Sequence, residues 1–78
     1  MQFLVTSSQV INFSYVLKVA IMHNEIYAVV ENYDDLQKDE LPKFSFERLA
    51  YYPNKETAAK VFEDFRLAVL SGKDSFQF

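Results

Sequence analysis

From Tyr51 to Phe65 the chain reads Tyr-Tyr-Pro-Asn-Lys-Glu-Thr-Ala-Ala-Lys-Val-Phe-Glu-Asp-Phe: the end of a strand, a capped turn and an amphipathic helix. This segment constrains the fold most, because everything before it carries a strand-type pattern and this helix must then close the core. Pro53 cannot donate to a β-ladder and stops the strand. Asn54 is a strong helix N-cap, and Glu56 sits near the positive end of the helix dipole. Glu56 and Lys60 stand four residues apart in the favourable order for an ion pair. Ala58, Val61, Phe62, Phe65, Ala68 and Val69 share one side at helical spacing. Gly72, the only glycine, follows Leu70-Ser71, where a helix end uses a residue free to adopt positive φ. The pattern predicts a helix over residues 55–71.

The preceding residues alternate. Phe3-Leu4-Val5 is a short apolar run ending in the polar turn Thr6-Ser7-Ser8-Gln9. Beyond it, Ile11, Phe13, Tyr15, Leu17, Val19 and Ile21 are apolar, with Asn12, Ser14 and Lys18 polar between them. This period of two predicts a strand over 10–22 with the odd positions on one buried face. A bend around Phe13-Ser14-Tyr15 is expected, since a straight strand of that length is unusual in a small domain. His23-Asn24-Glu25 interrupts the pattern as a hairpin turn in which Asn24 tolerates a left-handed backbone. Ile26 to Val30 is continuously apolar and reads as a central strand covered on both faces. Residues 32–43 form an acidic excursion, long for a hairpin loop. A strand over 44–52 follows, with Phe44 and Phe46 on one face and a bulge expected near Glu47-Arg48, where the apolar register moves to Leu49 and Tyr51. Ser75-Phe76-Gln77-Phe78 alternates again and predicts a short terminal strand. The expected fold is α+β, one domain spanning 1–78, with a small antiparallel sheet of three to five strands packed on the C-terminal helix.

A domain of 78 residues has a thin margin of stability. There is no cysteine for a disulfide and only one histidine, so neither a bridge nor a zinc cage supplements the core. Half of the residues are apolar, with eight Phe and five Tyr, so a dense aromatic core is the expected compensation, self-association being the other. Net charge is −3, and Lys18, Lys38, Lys43, Arg48, Lys55, Lys60, Arg66 and Lys73 are scattered singly. That distribution argues against direct binding of DNA or RNA. The opening Met1-Gln2-Phe3-Leu4-Val5-Thr6 lacks a signal-peptide pattern. No apolar stretch reaches the ~18–20 residues of a membrane span. A cytoplasmic location is expected.

The segments Phe3-Leu4-Val5, Val10-Ile11-Asn12-Phe13, Ile26-Tyr27-Ala28 and Tyr52 to Val61, with Glu56 and Ala58 in place, give the chain a family likeness. It resembles small proteins of Firmicute genomes, prophages and mobile elements, which end in a Tyr-x-x-x-Glu-x-Ala-x-x-Val helix motif. It departs from them in a longer acidic loop at 32–43 and in lacking a glycine before the final tyrosine strand. The resemblance implies a small antiparallel sheet with one C-terminal helix. It transfers no catalytic residue and no cofactor.

His23 stands alone in a turn without the partners that a ligand or general base needs. Asp34-Asp35 and Asp39-Glu40 fit no calcium loop, since there is no central glycine and no glutamate at the twelfth position. Ser7, Ser8, Ser14, Ser45 and Ser71 lack nucleophile-elbow glycines. A non-enzymatic protein without metal or cofactor is expected. Two features point instead to protein binding. Leu67 falls opposite the Val61/Phe65 side, amid Glu56, Lys60, Glu63 and Asp64, with Leu70 beside it. Tyr27, Tyr33, Tyr51 and Tyr52 lie among Glu31, Asp34, Asp35, Asp39, Glu40 and Glu47, a mixture suited to a basic protein surface. The candidate partner-binding residues are Tyr33, Asp34, Asp35, Asp39, Glu40, Leu67 and Leu70. Two functional readings follow. One is an accessory protein of a phage or mobile element that binds a host protein, an inhibitor of a defence nuclease (anti-CRISPR-like) being one form of it. The other is a structural homo-oligomer or scaffold that pairs with itself as a homodimer.

Overall fold

The structure is a computed structural model and describes residues 1–32 and 43–78. It is an α+β fold of two three-stranded sheets and one helix. The elements are β1 (Phe3–Val5), β2 (Val10–Asn12), a 3₁₀ turn (Phe13–Tyr15), β3 (Val16–Met22), β4 (Glu25–Asn32), β5 (Lys43–Tyr51), α1 (Lys55–Leu70) and β6 (Ser75–Gln77). The first sheet has the order β2-β1-β6 and the second the order β3-β4-β5.

The first sheet is built from the two ends of the chain. Leu4 pairs antiparallel with Ile11 and parallel with Phe76. The β1–β2 turn is tied by Thr6, whose buried Oγ1 accepts from the N–H groups of Ser8 at 3.2 Å and Gln9 at 3.0 Å. The second sheet is an antiparallel meander with β4 at its centre, as expected, but the expected cover on both faces is not met: Ile26 and Ala28 are buried on the inner face, whereas Tyr27, Val29 and Glu31 on the outer face are only half-buried. Its hairpin turn differs from expectation in one respect. His23, not Asn24, takes the left-handed conformation, with φ 55. Asn24 instead anchors the far strand: its Nδ2 donates to the Tyr52 carbonyl at 2.9 Å, and its own carbonyl accepts from the Tyr52 N–H at 2.9 Å.

Both irregularities foreseen in the strands are present. Asn12 Oδ1 accepts from the Ser14 N–H at 3.0 Å and the Ser14 hydroxyl at 2.8 Å, which turns the chain between β2 and β3. A register shift between Val16 and Lys18 follows. Together they end the simple odd-face rule, because a shift of one residue moves a side chain to the other face. Ile11 is buried and Val19 and Ile21 pack on the core, joined by Val16, whereas Tyr15 and Leu17 are exposed. In β5 the pairing skips Leu49, which falls between Ala50 opposite Ile26 and Arg48 opposite Tyr27.

The helix closes the core as its pattern requires. Asn54 Oδ1 accepts from the Thr57 N–H at 2.8 Å and the Thr57 hydroxyl at 2.9 Å. At the other end Gly72 has φ 77, its N–H reaches the Val69 carbonyl at 3.2 Å, and the Lys73 N–H reaches that of Ala68 at 3.0 Å. These paired bonds form a Schellman cap. The ion pair along the helix, among the described residues, joins Glu63 to Arg66 at 2.7 Å rather than Glu56 to Lys60. Ala58 and Phe65 are buried, and the core cluster around Phe65 contains Leu4, Ile11, Ile26, Ala28 and Leu49. Phe65 is the aromatic hub, with ring centroids at 6.4 Å from Phe13, 6.3 Å from Phe62, 5.5 Å from Phe76 and 5.3 Å from Phe78.

Candidate functional site

Strand alternation divides the second sheet into two unlike faces. Ile26, Ala28 and Val30 of β4 point to the core. The cross-strand partners on that side are Ile21, Val19 and Val16 of β3 and Ala50, Glu47 and Ser45 of β5. The outer face carries Met22, Ala20 and Lys18, then Glu25, Tyr27, Val29 and Glu31, then Tyr51, Arg48, Phe46 and Phe44. No described element lies on this face. Phe46 is 75% exposed and Phe44 58%, and Tyr51 and Met22 are exposed as well. The Tyr27 ring lies 6.0 Å from that of Phe46. Arg48 crosses to Glu25 at 3.3 Å, an exposed ion pair that interrupts the apolar surface between Tyr51 and Phe46. The result is an aromatic strip along β5 with charged groups beside it, on the outer face of the sheet.

This strip is where the aromatic core expected from composition fails. Phe44 and Phe46 lie on the opposite face from Leu49, as strand alternation alone requires, since Ser45, Glu47 and Leu49 take the core side. The bulge acts beyond this point: it lets Ala50 follow Leu49 on the core side and turns Tyr51 outward with Phe44 and Phe46.

The leucines singled out on the helix are exposed, Leu67 at 51% and Leu70 at 70%. Both line a shallow concavity with Asp64, Lys73 and Phe76 at the β6 side of the helix. Leu70 also borders a second concavity, between α1 and the edge of β3, lined by Phe13, Val16, Leu17 and Val69. Beside these, two hydrogen bonds from Arg66, at 2.9 and 2.7 Å, hold the Glu63 carboxyl below its ordinary range. Tyr33, Asp34, Asp35, Asp39 and Glu40 lie outside the described residues.

His23 is exposed in its turn. Among the described residues no group of three or more His, Cys, Asp or Glu side chains converges as a metal site would require. Likewise, no described helix is long and apolar enough to cross a membrane. The polar group that stands out in the interior is the Tyr52 hydroxyl, which is shielded from solvent without a hydrogen-bond partner among the described residues. Burial raises its pKa above the ordinary value. The neighbours of Tyr52 are core side chains, so it reads as a packing residue with a stranded polar atom. In comparisons with protein-family models, curated proteins and solved structures, nothing matches the chain.

Proposed function

We propose that the protein is a non-enzymatic protein-binding domain that acts through the outer face of β3, β4 and β5. One observation carries this: Phe44 and Phe46 stand side by side on a regular strand, exposed at 58% and 75%. Apolar surface left in water forgoes about 25 cal/mol per Å² of stabilisation, and a covering partner recovers it. Aromatic anchors surrounded by charged groups are also the composition of binding hot spots. The accessory role, in a phage or mobile element and in its finest form as inhibitor of a defence nuclease, is supported by the sequence resemblance and the acids of residues 32–43. The structural homo-oligomer draws on the same sheet.

The test is Phe46→Ser, measured against a partner purified from the native host. A residue this exposed should leave thermal stability nearly unchanged. Loss of a central aromatic anchor should weaken binding about thirtyfold or more. Equal affinity of Phe46→Ser and the parent would refute the assignment of this face.

A further inference from the structure

We propose that the edge of β5 away from β4, which no described strand covers, is the seam of a two-fold homodimer in which Ser45 lies opposite Ser45 of the partner subunit. This inference rests on the protein-binding reading of the same sheet and names its occupant as a second copy of the chain. On one side β5 pairs with β4, and on its other side no described strand lies against it. Such an edge presents unpaired backbone donors and acceptors and templates pairing with another chain. Residues 43–47 pair with 28–32 without a register shift, so this part of the edge is regular; the bulge comes only beyond Arg48.

The side chains of this stretch are complementary to themselves. In an antiparallel pairing centred on Ser45, Lys43 stands opposite the partner's Glu47 and Glu47 opposite the partner's Lys43. On the other face Phe44 meets the partner's Phe46 and Phe46 the partner's Phe44. The four phenyl groups then form one cluster, with Tyr27 of each subunit already against Phe46 at 6.0 Å. The two ion pairs fall on the core-side face, where Ser45 and Glu47 stand opposite Val30 and Ala28. Neighbouring in-phase registers lose this match. Centring on Glu47 sets two carboxylates against each other, which is destabilising. Centring on Phe46 places Lys43 against the partner's Leu49 and leaves the Glu47 carboxylate without a cation. An isologous interface requires this kind of self-match.

Sedimentation of the full chain at rising concentration tests the proposal. The mass should climb from 9.1 kDa to twice that value. Lys43→Glu places like charges together at two symmetric sites, and so does Glu47→Lys. Each should weaken the dimer about tenfold or more, and the double variant, which restores both pairs, should return most of the affinity. Raising salt should weaken the parent dimer, because Lys43 is exposed and Glu47, which accepts from Gln9 Nε2 at 3.5 Å, is only half-buried. Amide hydrogen exchange supplies a readout without substitution: protection across residues 43–47 should grow with protein concentration. A mass of 9.1 kDa at every concentration, with concentration-independent protection, overturns the dimer. So does a dimer that ignores both charge reversals or is not recovered by the double variant. If the chain is monomeric yet Phe46→Ser still abolishes binding to another protein, the binding face stands and self-pairing falls. If both fail, the face itself is misassigned.

Discussion

Tyr52 shows how a small core accepts one poor contact in return for many good ones. Its ring packs among the core side chains, and its backbone is bonded to Asn24 in both directions. Its hydroxyl is left without a partner among the described residues. A polar group shielded from water in this way costs about 1–3 kcal/mol at full burial, and less here because the residue as a whole is half-buried. Tyr52→Phe is therefore expected to be neutral or stabilising by up to ~1 kcal/mol in a denaturant melt at neutral pH. The pH dependence has a definite sign. Burial raises the phenol pKa in the folded state above its ordinary value. Below the unfolded value both states hold the proton and nothing changes. Above it the unfolded chain releases the proton first, so stability falls as pH rises toward the folded value. The parent should lose stability through this alkaline range, and Tyr52→Phe should lose less. A variant destabilised at neutral pH, with an unchanged alkaline limb, would mean that the hydroxyl has a partner.

At the scale of elements, α1 has one residue on which its docking depends. Phe65 is 6% exposed and touches the rings of Phe13, Phe62, Phe76 and Phe78, whereas Phe62 is only partly buried. Phe65→Ala should cost ~3–5 kcal/mol, comparable to the total stability of a small domain, and Phe62→Ala clearly less. Equal losses for the two variants in urea melts would overturn this ranking. The helix and its caps were legible in the sequence because each signal is local: Asn54, Gly72 and the apolar spacing all act within a few residues. Leu67 and Leu70 were legible as exposed for the same reason. The faces of the strands were less so. Alternation locates a strand but not its buried side, and a bulge exchanges the sides partway along. Phe44 and Phe46 were legible as sharing a face, but not that this face is the open one, and Tyr51, expected to share a face with Leu49, is turned outward by the bulge. The separation into two sheets was not legible at all, because the pairing of β1 with β6 joins the two ends of the chain.

That end-to-end pairing governs the whole molecule. Without β6, the first sheet is only the β1–β2 hairpin, and an isolated two-stranded hairpin is marginal in water. The last residues also hold the first ones directly. The Asp74 carbonyl accepts from the N–H groups of Gln2 at 2.6 Å and Phe3 at 3.1 Å, and the Phe78 N–H donates to Val5 at 2.9 Å. Phe76 and Phe78, 4.9 Å apart, complete the ring cluster on Phe65. Removing residues 74–78 takes away a strand, these backbone bonds and two core rings together, and exposes the buried side of Leu4. Loss of even one buried aromatic costs ~3–5 kcal/mol, so the truncated chain should lack a cooperative thermal transition. The second sheet cannot compensate, since its core face needs Phe65 and the first sheet to cover it. Because the ends can pair only after the rest of the chain is laid down, β6 docking should also come late in folding. Near-ultraviolet circular dichroism and a thermal melt of the 1–73 fragment decide the matter. A fragment melting cooperatively within about 3 °C of the full chain would show that the terminal strand is an ornament on an already complete core.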